Sequence, residues 1–393
     1  MEMETKNREE IYEEEVPTSV RAKLLAEKPR HDARYMGAGG MIRWLEEQGY
    51  FESEETSVKE SMDELCEALE KEILQSGADD EEKQVLLARL RKLCSTKTNI
   101  MLVGATGCGK SSTINALFSC NRQEDGYVEV AKVGSKADPE TRDIEQYRIG
   151  NLILWDTPGL GDGTEIDEHH REVITELLRQ EDEEGNGLID LVLVVLDGST
   201  RDLGTSYKIL NEVIIPELGE ETGRILIALN QADIAMKTGR HWDYEKNEPD
   251  ETLKAFLEEK VASIKGRIRE DSGLDVEPVY YCAGYEEDSG EIVYPYNLSK
   301  LLYYILSALP AEKRAAVFGG MNTDTKQYTH NDDEMDYNEE VKGSLYSMAD
   351  YVAEGINSGA ETGFLILGLP GAVVGTVVGA FVGGIKGIFN SIF

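Results

Sequence analysis

Basic residues are scarce in this sequence. Its 393 residues include 40 Lys and Arg against 76 Asp and Glu, which gives a formal net charge of −36. A field of this sign repels phosphate backbones. The composition therefore argues against non-specific nucleic-acid binding, and we expect direct binding of DNA or RNA to be absent.

Cysteine is also rare. The five cysteines are scattered along the chain and form no C-x-x-C pair, a distribution that is not typical of a disulfide framework or a zinc site. The first ten residues contain no apolar run of the kind found in a signal peptide. We therefore expect a cytoplasmic protein without a disulfide framework.

Composition changes along the chain predict several regions. Residues 1–17 are acidic and predict a disordered lead. Residues 18–95 predict a helical region, because apolar residues in it recur at three- and four-residue steps. Residues 311–340 are acidic and irregular, which predicts a linker, and residues 341–393 predict a helical, glycine-zipper tail.

The centre of the chain, residues 96–310, alternates short apolar runs with helix-like stretches. The runs are nearly continuous in Val, Ile and Leu, and they lie at Asn99–Val103, Leu152–Trp155, Leu191–Leu196, Ile225–Leu229 and Val279–Cys282. Strands of this composition separated by helices are typical of a sheet covered on both faces. The pattern predicts an α/β fold with a mainly parallel sheet flanked by helices.

A glycine-rich motif follows the first apolar run. Residues 104–111 read GATGCGKS and fit G-x-x-x-x-G-K-[ST] at every fixed position. Gly104, Gly107 and Gly109 let the backbone curl so that its N–H groups point at phosphate oxygens. Lys110 adds a positive charge near the β- and γ-phosphates, and the Ser111 hydroxyl can bind Mg²⁺.

Two further motifs follow later strands. Asp156 ends a strand and begins D-T-P-G, which places a carboxylate beside the metal and lets Gly159 offer its N–H to a γ-phosphate. Asn230 and Asp233 lie in N-Q-A-D after another strand. The Asp233 carboxylate suits the two N–H donors of guanine, with Asn230 supporting the loop; taken alone, the stretch also fits an ordinary Asx-rich turn.

These motifs resemble those of the translation-factor-related P-loop GTPases. The resemblance is to the Era-like and septin-like (paraseptin) branches, is strongest to prophage-type Era-like GTPases, and covers about residues 97–310. It implies a fifth motif at Cys282 and Ala283, where the Ala283 N–H would meet guanine O6. It also implies that Thr141 closes over Mg²⁺ in the triphosphate state, with Thr164 as the nearest alternative.

The resemblance implies GTP or GDP with Mg²⁺ as cofactors and a GTP-hydrolysing switch as the activity. The implied nucleotide-binding residues are Gly104, Gly107, Gly109, Lys110, Ser111, Ser112, Asn230, Asp233, Cys282 and Ala283. The implied catalytic residues are Lys110, Thr141 and Gly159. The implied metal ligands are Ser111, Thr141 and Asp156.

Three positions depart from the family pattern. Gln231 replaces the usual lysine of the fourth motif, and Cys282 replaces Ser or Thr in the fifth. Leu160 stands where Ras-like proteins use a glutamine to orient the attacking water. Since leucine cannot hydrogen-bond water, the resemblance implies a hydrophobic-substituted GTPase, for which Arg142 and Arg201 are candidate phosphate-binding arginines.

The sequence leaves two classes of function open. One is an enzyme whose turnover is timed by a partner or by self-association, and its T-G-x-G-K-S loop resembles GTPases that pair across their nucleotide sites. The other is a GTP-gated assembly or membrane-effector protein in which hydrolysis is incidental. Residues 362–385 carry no charge, and glycine recurs every four residues from Gly371 to Gly387, so that membrane contact or self-association through 362–393 is an expectation, with an intramolecularly packed helix as the alternative.

Overall fold

The computed structural model describes residues 62–75, 79–118, 120–123, 126–128, 144–160, 164–201, 203–239, 241–286 and 292–354. The chain divides into two compact units, one of residues 1–94 with 345–388 and one of residues 95–344 with 389–393. The predicted acidic lead, the glycine-rich tail and Thr141 lie outside the described residues. Within the described ranges, no helix combines the length and hydropathy needed to cross a membrane.

The first unit contains the helices α1 (Met62–Gln75) and α2 (Asp80–Ser95). Asp79 starts α2, because its Oδ1 accepts hydrogen bonds from the backbone N–H groups of Glu81 and Glu82 at 3.0 and 2.9 Å. The periodic leucines of α2 are buried, as their spacing predicts. Helices are therefore present in the predicted 18–95 region over these two ranges.

A disulfide joins α1 to α2, between Cys66 and Cys94. The two cysteines are 28 residues apart in sequence, yet their Cα atoms are 6.3 Å apart. The expectation of a chain without a disulfide framework is thus wrong for this pair. Spacing along the chain could not show it, because the contact depends on how the two helices pack.

The second unit begins with the following elements: β1 (Thr98–Gly104), α3 (Lys110–Leu117), β2 (Cys120–Gln123), β3 (Gly126–Val128), β4 (Glu145–Ile149), β5 (Leu152–Asp156), α4 (Thr164–Leu178) and β6 (Leu191–Asp197). Its next elements are α5 (Gly204–Ile209), a π-helical turn (Leu210–Ile214), α6 (Ile215–Leu218), a 3₁₀ turn (Thr222–Arg224), β7 (Ile225–Asn230), a 3₁₀ turn (Ala232–Ile234), β8 (Trp242–Asp243), β9 (Glu248–Pro249) and α7 (Glu251–Ser272). It continues with β10 (Val279–Tyr280), β11 (Tyr285–Glu286), β12 (Ile292–Val293), α8 (Leu298–Ala308), α9 (Ala311–Gly320), a 3₁₀ turn (Thr325–Tyr328) and α10 (Tyr337–Ala353), whose last residues belong to the first unit.

A six-stranded sheet in the order β10-β7-β6-β1-β5-β4 forms the centre of the second unit. Every pair in it is parallel except β4–β5, which is antiparallel. Strands β1 and β7 are buried along their whole length, as expected for strands covered on both faces. The predicted α/β fold with a mainly parallel sheet is confirmed.

The prediction of an irregular linker over residues 311–340 is wrong. Residues Ala311–Gly320 form α9, which buries Val317 and Phe318. A Cβ on Gly320 would lie 2.7 Å from Leu152 Cδ2, so that the helix end packs closely against β5. The acidic composition of this region indicated a linker, but the charges that follow α9 are partly neutralised by a tertiary contact.

That contact is a buried ion pair. Lys300 Nζ donates to Asp332 Oδ2 and to Glu334 Oε2, both at 2.7 Å, and the Lys300 and Asp332 side chains are only 8% and 1% exposed. Burial alone would lower the pKa of Lys300, but the two carboxylates raise it. Asn297 Nδ2 donates to the same Asp332 oxygen at 3.0 Å. Residues 332–334 are therefore fixed to α8.

Lys300→Ala is expected to lower the free energy of unfolding by about 3 kcal/mol, because it leaves a buried carboxylate without its cation. Urea denaturation of the nucleotide-free protein measures the loss. Lys246→Ala is the matched control, since Lys246 pairs with Glu248 at 3.4 Å with both side chains well exposed, and its loss should stay below about 1 kcal/mol. Equal losses in the two variants would contradict the structural role of Lys300.

Candidate functional site

The candidate motifs meet at one edge of the sheet. They follow β1, β5, β7 and β10, whose carboxyl ends lie on the same side because these strands are parallel. Clefts at this edge are where open α/β sheets bind their ligands. The fold thus brings together residues that are far apart in sequence.

The glycine-rich loop has the backbone that its sequence requires. Gly107 and Gly109 have φ angles of +76° and +91°, which residues with a side chain adopt only with strain. A Cβ on Gly109 would also lie 2.1 Å from Asn230 Nδ2. Helix α3 begins directly afterwards at Lys110, with Ser111 and Ser112 in its first turn, an arrangement that is suited to binding an anion.

Lys110 is held inside the loop. Its side chain is buried, and Nζ donates to the carbonyl oxygens of Gly104 and Ala105, each at 3.3 Å. Both acceptors are neutral, so that neither of these contacts neutralises the ammonium. Its charge acts on the nearby Asp156 carboxylate and also suits an anionic ligand.

Ser111 and Asp156 form the candidate metal site. Ser111 Oγ donates to Asp156 Oδ2 at 2.6 Å. Among the described residues, Asp156 Oδ1 has no hydrogen-bond partner although it is buried. Burial raises the pKa of the Asp156 carboxyl, against the hydrogen bond from Ser111 and the charge of Lys110. A hydroxyl and a carboxylate with a free oxygen fit Mg²⁺, which prefers oxygen ligands and binds few of them from protein beside phosphates.

Asn230 forms hydrogen bonds to two other loops of the site. Its Nδ2 donates to the Cys108 carbonyl oxygen at 3.0 Å, and its Oδ1 accepts from the Ala283 backbone N–H at 3.1 Å. These two hydrogen bonds are consistent with the predicted role of Asn230 in supporting the loop. It joins the glycine-rich loop to the loop that carries the fifth motif.

Asp233 offers a buried carboxylate oxygen without a partner. The side chain is 8% exposed, and among the described residues its Oδ2 lacks a hydrogen-bond partner. Burial raises the pKa of the carboxyl, while a hydrogen bond from the Cys282 side chain lowers it. Cys282 is itself buried, and burial raises the pKa of its thiol. An orphaned acceptor of this kind is suited to a ligand that brings N–H donors.

Gln231, the departure from the usual lysine, crosses the glycine-rich loop. It adopts a left-handed backbone with φ 59°, and its Nε2 donates to the Gly107 carbonyl oxygen at 2.9 Å. The neutral side chain therefore contacts the same loop as the phosphate-binding residues. The positive charge of a lysine is lost, but a hydrogen bond across the loop is present.

Tyr281 lies beside the site, although none of the sequence motifs includes it. Tyr281 is fully buried, and its hydroxyl forms a hydrogen bond of 2.6 Å with Thr113 Oγ1. This contact joins helix α3 to the residue before Cys282. The sequence signal is a tyrosine beside the fifth motif, but only the tertiary structure supplies its partner.

Gly159, which ends D-T-P-G, and the following Leu160 pack against the glycine-rich loop. A Cβ on Gly159 would lie 2.2 Å from Thr106 Oγ1, so only glycine fits there. Leu160 is 2% exposed and belongs to the apolar core. Leu160 N donates to the Gly104 carbonyl oxygen at 3.3 Å, and Leu160 O accepts from Thr106 N at 3.0 Å.

No contact among the described residues joins the remaining candidates to the site. Thr141 and Arg142 lie outside the described ranges, and Thr164 is the first residue of α4. Arg201 is exposed. The positions of the other predicted site residues are as given above, and their individual roles remain predictions.

Part of the second unit matches a known protein family. Residues 99–231 match the family described as 50S ribosome-binding GTPase. These residues form a P-loop GTPase domain. The GTPase domain includes β1, the glycine-rich loop, D-T-P-G and the start of N-Q-A-D, and domains of this class bind guanine nucleotide with Mg²⁺.

Two mouse proteins share similarity with the chain. Interferon-inducible GTPase 1 is 28% identical over 113 residues, which cover 29% of this chain and 27% of that protein. Interferon-gamma-inducible GTPase 10 is 32% identical over 91 residues, covering 22% and 21%. The chain thus spans about a quarter of the length of these relatives.

Among solved structures, Toc33 from Arabidopsis thaliana in complex with Mg²⁺ and GMPPNP is 18% identical to this chain. The match covers 64% of this chain and 98% of Toc33, with a TM-score of 0.37.

Proposed function

We propose that the protein binds GTP with Mg²⁺, hydrolyses it to GDP and phosphate, and acts as a nucleotide-controlled switch. The observation that supports this most is a pair of buried carboxylate oxygens, Asp156 Oδ1 and Asp233 Oδ2, which have no hydrogen-bond partner within the described residues. Asp156 ends β5, and Asp233 lies in the 3₁₀ turn that follows β7. One suits a metal ion, and the other suits the N–H donors of guanine.

In this proposal the glycine-rich loop holds the phosphates with its backbone N–H groups, and Lys110 neutralises charge near the β- and γ-phosphates. Ser111 and Asp156 hold Mg²⁺, which neutralises charge that develops on the phosphate oxygens. Thr141 closes over the metal when the γ-phosphate is present. Asp233 accepts the guanine N–H donors. The fifth motif at Cys282 and Ala283 meets guanine O6 through the Ala283 N–H, which in this structure donates to Asn230 Oδ1.

Leu160→Gln is expected to change GTP turnover by less than about tenfold. In Ras-like proteins a glutamine at this position orients the attacking water, but here the side chain lies in the apolar core. A glutamine would meet buried neighbours rather than the phosphates. Single-turnover hydrolysis measures the effect, and a rise of about a hundredfold would show that the position faces the reaction.

The oligomeric and membrane behaviour is a further part of the proposal. The T-G-x-G-K-S loop supports a homodimer across the nucleotide site, and the glycine repeat of residues 362–393 supports self-association or membrane contact at a cytoplasmic location. The alternative is a GTP-gated assembly protein in which hydrolysis is incidental. The buried Leu160, which leaves the water without a side chain from that position, favours this alternative.

The dependence of turnover on protein concentration tests the two candidates. A dimer-activated enzyme releases phosphate faster per site as its concentration rises through the dimerisation range. Incidental hydrolysis gives a constant rate per site. Repeating the assay with liposomes and sedimenting them separates lipid contact from self-association.

A further inference from the structure

His170 is a buried histidine that the proposed roles do not use. It lies in α4 with 5% of its surface exposed. Ile174 follows one turn later and belongs to the same apolar core as Leu160. Because residues four apart lie on the same face of a helix, His170 and Ile174 both face the core that contains Leu160.

The imidazole contacts a backbone carbonyl there. His170 Nδ1 lies 2.9 Å from the Gly159 carbonyl oxygen. A carbonyl oxygen can only accept a hydrogen bond, so that Nδ1 carries the hydrogen and donates it. The adjacent His169 is exposed, and the contact therefore distinguishes the two histidines.

The peptide that joins Gly159 to Leu160 is thus held from several sides. His170 binds its carbonyl oxygen. Its N–H, on Leu160, donates to Gly104 O, and the next carbonyl accepts from Thr106 N. Every one of these contacts is made to the backbone, at the position where the side chain of Leu160 offers no polar atom.

We propose that His170 is a positioning residue for GTP hydrolysis, which holds the Gly159–Leu160 peptide in the orientation that the reaction needs. This inference rests on the proposed function. In the reaction a water oxygen bonds to the γ-phosphorus while the bond from that phosphorus to the β–γ bridging oxygen breaks. The electron pair of the broken bond leaves on the oxygen of GDP, and both protons of the water stay on the released phosphate. His170 gains and loses no proton in this step. It acts by fixing Gly159, whose own N–H is the proposed donor to the γ-phosphate.

His170→Ala tests the inference by steady-state and single-turnover kinetics on the full chain. We expect the kcat for GTP to fall at least about tenfold, because small displacements of positioning groups cost rates of this order. The KM for GTP and the Kd for GDP should change less than about twofold. His169→Ala is the matched control and should keep the wild-type kcat, since that side chain is exposed.

A second variant separates positioning from packing. In His170→Asn the side-chain amide can donate from nearly the same place as Nδ1, so that most of the lost kcat should return. An unchanged kcat in His170→Ala would overturn the inference, as would an Asn variant that is as slow as the Ala variant. Wild-type protein that binds GTP without releasing phosphate would instead overturn the proposed hydrolysis itself.

Discussion

Lys110→Ala is expected to weaken GTP binding about a hundredfold. The ammonium is buried within the glycine-rich loop, and its two hydrogen bonds go to neutral carbonyl oxygens that do not neutralise it, so that its charge can meet a phosphate. Losing a charge-assisted hydrogen bond of about 3 kcal/mol corresponds to this factor. Calorimetric titration of the nucleotide-free protein with GTP and Mg²⁺ measures it.

Two companion variants make the result specific. Lys208→Ala removes an exposed lysine of α5 and should leave the affinity for GTP unchanged. Ser111→Ala should weaken binding in Mg²⁺ but match the wild type in EDTA, since its hydroxyl acts through the metal. Unchanged affinity in both Lys110→Ala and Ser111→Ala would show that the phosphates bind elsewhere.

Asp233→Asn is expected to reverse the base preference from GTP to XTP. The wild-type carboxylate accepts two N–H donors of guanine, whereas xanthine carries a carbonyl oxygen in place of the 2-amino group and can accept from an amide. With GTP neither hydrogen bond is charge-assisted any longer, and the amide N–H of Asn faces the 2-amino group, so the affinity should fall between about a hundredfold and about ten-thousandfold. Competition binding with GTP, XTP and ATP measures the order of preference.

The control for this variant is Asp275→Asn, at an exposed carboxylate whose lysine partner is 3.8 Å away. It should bind GTP as the wild type does. An Asp233→Asn variant that still prefers GTP over XTP would mean that Asp233 does not contact the base. Wild-type protein that binds ATP as tightly as GTP would contradict the assignment of N-Q-A-D.

The buried strands and the phosphate loop were predictable from local pattern. Strands β1, β6 and β7 are apolar along nearly their whole length, because both faces of the sheet are covered. The glycine-rich loop needs glycine where φ is positive. In each case the physical requirement acts within a few consecutive residues, so the sequence displays it.

Strand β4 was not predicted. It is an outermost strand of the sheet and pairs antiparallel with β5. Its burial alternates between half-buried and exposed residues, so that E-Q-Y-R-I lacks the apolar run that marks a central strand. Edge position is a property of the assembled sheet. The composition of the strand reflects it only weakly.

Most of helix α10, Tyr337–Ala353, lies in the region 341–393 that was predicted to be helical, and its first four residues lie in the predicted linker. Tyr337, Val341, Leu345 and Met348 are all buried and recur at helical spacing. This spacing places the start of the helix at about residue 337, whereas the acidic composition before residue 341 indicated a linker. By contrast, the ion pair of Lys300 with Asp332 joins residues 32 apart, and only the fold brings them together.

The residues of the site also differ in how far the sequence alone indicates them. Residues whose role depends on a short motif, such as Lys110 and Asp156, were predictable from spacing alone. Tyr281 and His170 contact partners 168 and 11 residues away in sequence. The chemistry of a tyrosine or histidine does not specify such a partner, and the contacts became visible only in the three-dimensional structure.

Phosphate release by the wild-type protein tests the central proposal most directly. The full chain is incubated with GTP or with ATP, each with Mg²⁺ and each with EDTA, and phosphate and nucleoside diphosphate are quantified together. We expect equal amounts of GDP and phosphate from GTP, dependent on Mg²⁺, and far less product from ATP. Release at the same rate from both nucleotides, or bound GTP that yields no phosphate, would contradict the proposal of a GTP-specific hydrolase.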